Sequence, residues 1–143
     1  ASLNTARSKA RDARRKSDLN QIRTALVMHF TEYGNYIETG SGCGYGGNGW
    51  GWLNVQSVDY PKSIMQCLID AGVAKQTIID PTGGVDSTPT SGYSYMKYSC
   101  GSPVKTYVYA KLETLPQSTT VTDSTCCPYC DEGYGMNYYL LIQ

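Results

Sequence analysis

Residues 2–34, SLNTARSKARDARRKSDLNQIRTALVMHFTEYG, decide the architecture of this chain. Leu19, Ile22, Leu26, His29, Phe30 and Tyr33 recur at steps of three and four, the spacing of one face of an α-helix. Read toward the N-terminus, the stripe continues in smaller residues, Leu3, Ala6, Ala10, Ala13 and Ser17. Gly34 and Asn35 are good stop residues. The prediction is a helix to Tyr33, about 50 Å long, whose larger half supplies a helix–sheet core through Leu19, Ile22, Leu26, Phe30 and Tyr33. The smaller half projects and suits close approach of another helix. His29, the single histidine, is read as a packed, partly buried side chain rather than a base.

Charge divides the chain at the same place. Residues 1–23 carry seven Lys/Arg against two Asp, a balance of +5, and the other 120 residues carry five Lys against ten Asp/Glu, a balance of −5. A formal net charge of zero therefore conceals a dipolar molecule suited to head-to-tail association. Arg7, Arg11, Arg14 and Arg15 are read with Leu3, Ala6, Ala10 and Ala13 as an assembly helix. Reversing Arg14 and Arg15 is expected to leave the fold intact and to impair assembly. The acidic remainder would repel a polyanion, so no specific nucleic-acid partner is expected.

At 143 residues the chain fits one structural domain, with 1–34 as its helix and 35–143 as its globular body. The body divides into a region 35–91 and a β-meander 92–142 containing the loop 116–135. The Gly-rich stretch 40–51 is read as a surface loop, with Trp50 and Trp52 in a short extended piece. Ser57–Ala74 reads as a second helix, with Pro61 near its first turn and Gly72 at its end. Asp80-Pro81-Thr82-Gly83-Gly84 is a turn. Alternation around Tyr93–Tyr98 and Tyr107–Leu112, joined through Cys100-Gly101-Ser102-Pro103, predicts an antiparallel hairpin, and 136–142 a further strand. The fold class is α+β: a long N-terminal amphipathic helix packed on a small antiparallel sheet, with a second short helix and disulfide-stapled loops.

Cys43, Cys67, Cys100, Cys126, Cys127 and Cys130 point to an oxidising compartment and up to three disulfides, with 15 possible pairings. Cys100 and Cys67 are candidate partners for the adjacent Cys126 and Cys127. The C-x-x-C of residues 127–130 lies between Thr/Ser-rich and acidic residues, which suits a staple better than a redox centre. Asp123, Asp131 and Glu132 are weak calcium candidates without the spacing of a dedicated loop. No nucleophile elbow and no phosphate-binding Gly-Lys-Ser/Thr occurs, and neither an enzyme nor a cofactor is expected.

Several segments, in order, resemble type IV pilins and the related major pseudopilins of type II secretion. SLNTARSKARDARRKSDLNQIRTAL resembles the helix just past the membrane-embedded part of such proteins, and TEYGNYI the element that closes it. LIDAGVAKQTIIDPTGG resembles the short helix leading to a turn, and GYSYMKYSCG with TYVYAKLET the first sheet strands. The resemblance implies a longer protein whose apolar first half-helix, freed by a prepilin peptidase, anchors in the inner membrane before assembly. It further implies self-association into a helical filament at the bacterial surface. Alternatives within it are a secretion pseudopilin, or a minor pilin that binds a surface ligand or DNA through its Tyr and Trp rings.

Overall fold

A computed structural model of the chain describes residues 2–37, 42–44, 51–55, 62–83, 93–100, 102–116 and 135–142. Helix α1 spans Leu3–Tyr33. Ser2 caps its start by accepting the Thr5 N–H on Oγ at 3.3 Å. Gly34 ends it in the left-handed conformation, φ 78°, donating its N–H to Phe30 O at 2.8 Å.

Among the described residues four strands form one antiparallel sheet in sequence order: β1 Gly51–Trp52, β2 Met96–Cys100, β3 Lys105–Ala110 and β4 Tyr138–Leu141. The β2–β3 hairpin pairs Tyr98 with Tyr107, and along its other edge β3 pairs Val108 with Leu140 of β4. Alternating residues of each strand face opposite sides, so the sheet builds two cores. On one side Tyr95, Val108 and Ala110 close over Leu19, Ile22, Ala25 and Leu26 of α1. On the other Met96, Tyr107 and Tyr109 cluster with Trp52, Val55 and Met136. These elements are α+β.

Helix α2 spans Ile64–Asp70 and is shorter than the predicted Ser57–Ala74. Ser63 is its cap, with Oγ accepting the Gln66 N–H at 3.0 Å. Just before it, the Lys62 carbonyl accepts the Gly44 N–H at 2.9 Å in an isolated bridge between residues 43 and 62. Backbone committed to that bridge is not in helical geometry, so the helix cannot begin earlier. Pro61 lies outside the described residues. Ile64, Met65 and Leu68 are buried, and Gly72 follows with φ 78°.

Phe30 and Tyr33 do not join the helix–sheet core. They are 43% and 51% exposed, whereas Leu19, Ile22 and Leu26 are fully buried. Their helical phase is correct, but beyond Leu26 they meet other neighbours. Phe30 stacks on Tyr36 with centroids 4.5 Å apart, and the Tyr33 hydroxyl lies 3.5 Å from Ala71 O. His29 is partly buried, and its Nδ1 donates to Asn35 O at 2.8 Å.

Candidate functional site: the front of the long helix

The polar front half of α1 carries the densest electrostatic structure among the described residues. Counting back from Leu26, Ile22 and Leu19 by alternating steps of three and four reaches Arg15, Asp12 and Ser8. These residues, not Ser17, Ala13 and Ala10, continue the buried stripe. At 100° per residue Ala10 lies about 180° from Leu19, on the opposite face.

Arg15 is fully buried and every N–H of its guanidinium is used. Nε and Nη2 grip Asp80 at 2.8 and 3.1 Å, and Nη2 also donates to Thr82 Oγ1 at 3.0 Å. Nη1 donates to Asp12 Oδ1 at 2.8 Å and to Glu113 Oε2 at 2.5 Å. The ring of Tyr93 lies 4.5 Å from the guanidinium carbon. Arg11 adds a bidentate grip on Glu113, with both bonds at 2.6 Å. Three remote pieces of chain meet here: α1, the turn at Asp80 and the segment leaving β3. The Asp80 turn closes with the Gly83 N–H on Asp80 O at 3.1 Å, while Thr82 donates its N–H to Asp80 Oδ1 at 2.9 Å. Asp12 closes the third piece by accepting the N–H groups of Glu113 and Thr114 at 2.9 and 2.8 Å, and the Thr114 hydroxyl at 2.7 Å.

These contacts set the acidities. The Arg11 hydrogen bonds, and behind them Arg15, hold the Glu113 carboxyl down at about 2. Burial works to raise Asp12, but the Glu113 and Thr114 donors and Arg15 outweigh it, and its pKa is lowered. Asp18 goes the other way: burial raises it, against a 2.6 Å bond donated by the Tyr95 hydroxyl. Tyr95 is in turn raised by burial and by that carboxylate.

The predicted assembly residues therefore separate. Arg11 and Arg15 turn inward and are consumed within the chain, Arg15 completely. The expectation that reversing Arg15 leaves the fold intact does not survive its burial among three carboxylates. Leu3, Ala6, Arg7, Ala10, Ala13 and Arg14 are exposed, and Arg14 reaches Asp18 only at 3.9 Å. Sequence reasoning missed Asp12, Asp80, Glu113 and Thr114. The one local signal was the i, i+3 spacing of Asp12 and Arg15 in phase with Leu19.

Cys43 and Cys67 form a disulfide that ties the bridge at residue 62 to α2. This removes Cys67 as a partner for Cys126 or Cys127. Cys126, Cys127, Cys130 and the Cys100 side chain lie outside the described residues, as do the calcium candidates Asp123, Asp131 and Glu132. Among the described residues no group of three His, Cys, Asp or Glu is placed to hold a metal ion. Asp12, Asp80 and Glu113 converge, but on a guanidinium. Of the aromatic rings, Trp52, Tyr107 and Tyr109 are buried, and Tyr139 is 41% exposed. An open groove of about 590 Å³ runs beside α1, lined by Gln21, Thr24, Ala25, Val73 and Ile78 among others. No helix among the described residues is long and apolar enough to cross a membrane. Comparison with protein-family models, curated proteins and solved structures yields no match.

Proposed function

We propose that this chain is the body of a structural subunit of the type IV pilin kind, which polymerises through its N-terminal helix into a filament at the bacterial surface. The observation that carries the reading is the unequal use of α1. Its buried residues run from Asp12 to Leu26, while Leu3, Ala6, Ala10 and Ala13 form an exposed apolar line on the other face, small in its three alanines. At 31 residues the helix is about 46 Å long, more than the sheet needs. The Arg15 hub supplies rigidity: it fastens the helix to the body, so a force along α1 reaches the sheet. On this reading an apolar helical segment of about 20 residues precedes Ala1, anchors the subunit in the inner membrane and later lines the filament core. A basic leader for a prepilin peptidase would stand before it.

The test uses the native full-length protein. Ala10→Trp and Ala13→Trp place bulk on the exposed line without touching the core. Each is expected to change unfolding free energy by no more than about 0.5 kcal/mol and to abolish filaments in electron micrographs. Filaments of normal abundance with both substitutions would end this reading.

A further inference from the structure

Strand β4 ends the sheet, and no other strand among the described residues covers its outer edge. Backbone groups along an antiparallel strand point alternately toward one neighbour and away from it. The Ile142 N–H goes to Thr106 O at 2.8 Å, so Ile142, and by the same alternation Leu140 and Tyr138, spend their groups on β3. Tyr139 and Leu141 then direct theirs outward. Tyr138, Leu140 and Ile142 pack on the α1 side of the sheet, which leaves the side chains of Tyr139 and Leu141 on the other face, 41% and 45% exposed. The Tyr139 ring is held there against Tyr107 and Tyr109, with centroids 5.7 and 6.4 Å away. Exposed edges are ordinarily guarded by charge, by proline or by a covering segment. Residues 133–143, GYGMNYYLLIQ, contain no charged residue and no proline.

The opposite edge of the sheet is a poor mate, because β1 is two residues long and both are buried. A second β4 fits. Tyr139 and Leu141 stand symmetrically about Leu140, so a two-fold axis at Leu140 sets Tyr139 of each copy opposite Leu141 of the other. In that register the facing residues direct N–H and C=O at one another, with two donors from each copy. It also lays an aromatic ring against a leucine twice on the outer face. A shift of one residue would set outward groups against inward ones, so the match fixes its own register. The neutral edge meets a neutral edge. Lys16 packs on β4 with Nζ 5.4 Å from the centroid of the Tyr138 ring. Across the axis its two copies stand over positions four residues apart, about 13 Å. Salt therefore screens a weak repulsion and removes no attraction.

We propose that the β4 edge pairs antiparallel with the β4 edge of a second copy of this chain, joining two sheets into one across a two-fold axis at Leu140. A two-fold contact closes at two copies, so it goes beyond the filament reading and stands independently of it. Sedimentation velocity of the 143-residue chain is expected to show a reversible dimer at about 1 mM protein, unchanged or strengthened at about 500 mM salt. Leu141→Lys puts a charge on the edge and should weaken dimerisation about tenfold or more with an unchanged thermal midpoint. Leu141→Pro deletes one outward N–H without removing a bond to β3, and should weaken it similarly. Amide exchange at Tyr139 and Leu141 should be fast in the dilute monomer and slow in the dimer, while Leu140 is slow in both. A monomer at about 1 mM, association weakened by salt, or a dimer intact in Leu141→Lys would each overturn the inference. So would a dimer whose Tyr139 and Leu141 amides still exchange fast, which would place its contact on another face. Slow exchange of both amides in the dilute monomer would also overturn it, since the edge would then be covered within the chain.

Discussion

Replacing Arg15 by alanine removes five hydrogen bonds and leaves the buried Asp12 and Asp80 without their cation, with Glu113 held by Arg11 alone. Breaking a buried ion pair from one side strands the opposing charges, and the expected loss is about 3–5 kcal/mol in denaturant unfolding. Arg14→Ala, on a side chain 64% exposed, should fall within about 0.5 kcal/mol. Similar small losses for both would mean that the hub contributes no net stability. Glu113 and Asp12, both lowered in the folded chain, supply the acid dependence, and Glu113 carries the larger shift. Its folded value of about 2 lies below the ordinary 4.5, so its contribution is present above about 4.5 and is lost as pH falls toward about 2. Asp18, raised by burial, has the opposite sign and opposes the loss as it takes up its proton. Urea midpoints across that window should fall in the wild type and flatten in Glu113→Gln. An equal slope in both would place the acid sensitivity elsewhere.

At the scale of the element, α2 shows what a short helix needs in order to stay folded. Seven residues cannot sustain a helix by propensity. The Ser63 cap, the burial of Ile64, Met65 and Leu68, and the Cys43–Cys67 link hold it instead. The disulfide closes a separation of 24 residues, for which chain entropy predicts about 3 kcal/mol. The double variant Cys43→Ser/Cys67→Ser should lose about that much, and dithiothreitol should lower the wild-type thermal midpoint; an unchanged midpoint under reduction would contradict this. Strand β3 carries the complementary lesson. It is buried on both faces because α1 covers Val108 and Ala110 while Trp52 and Met136 flank Tyr107 and Tyr109. Strict alternation in its sequence thus encodes two different cores rather than an inside and an outside.

At the scale of the molecule, stability is distributed unevenly along α1. The region from Asp12 to Leu26 is pinned by the hub and the core, whereas Leu3–Ala10 has no buried residue. Amide hydrogen exchange should therefore be fast at Arg7–Ala10 and approach the global unfolding limit at Leu19–Leu26. Uniform protection along the helix in the monomer would contradict this gradient. Protection of the front that appears only in the filament would locate the assembly contact there.

The long helix, its stop at Gly34, the Asp80 turn and the hairpin were legible from the residues alone, because period, capping and turn chemistry reside in near neighbours. The burial of Leu19, Ile22 and Leu26 was legible for the same reason. What the line of residues could not disclose is which of six clustered cations faces inward. That depends on Asp80 and Glu113, 65 and 98 residues from Arg15, and on their arrival at one point of the helix. The same holds for the choice of Cys43 by Cys67, and for the exposure of Phe30 and Tyr33 beyond the reach of the sheet. Local geometry follows from sequence through short-range sterics, but the burial of a charge follows only from the partners that tertiary packing brings to it.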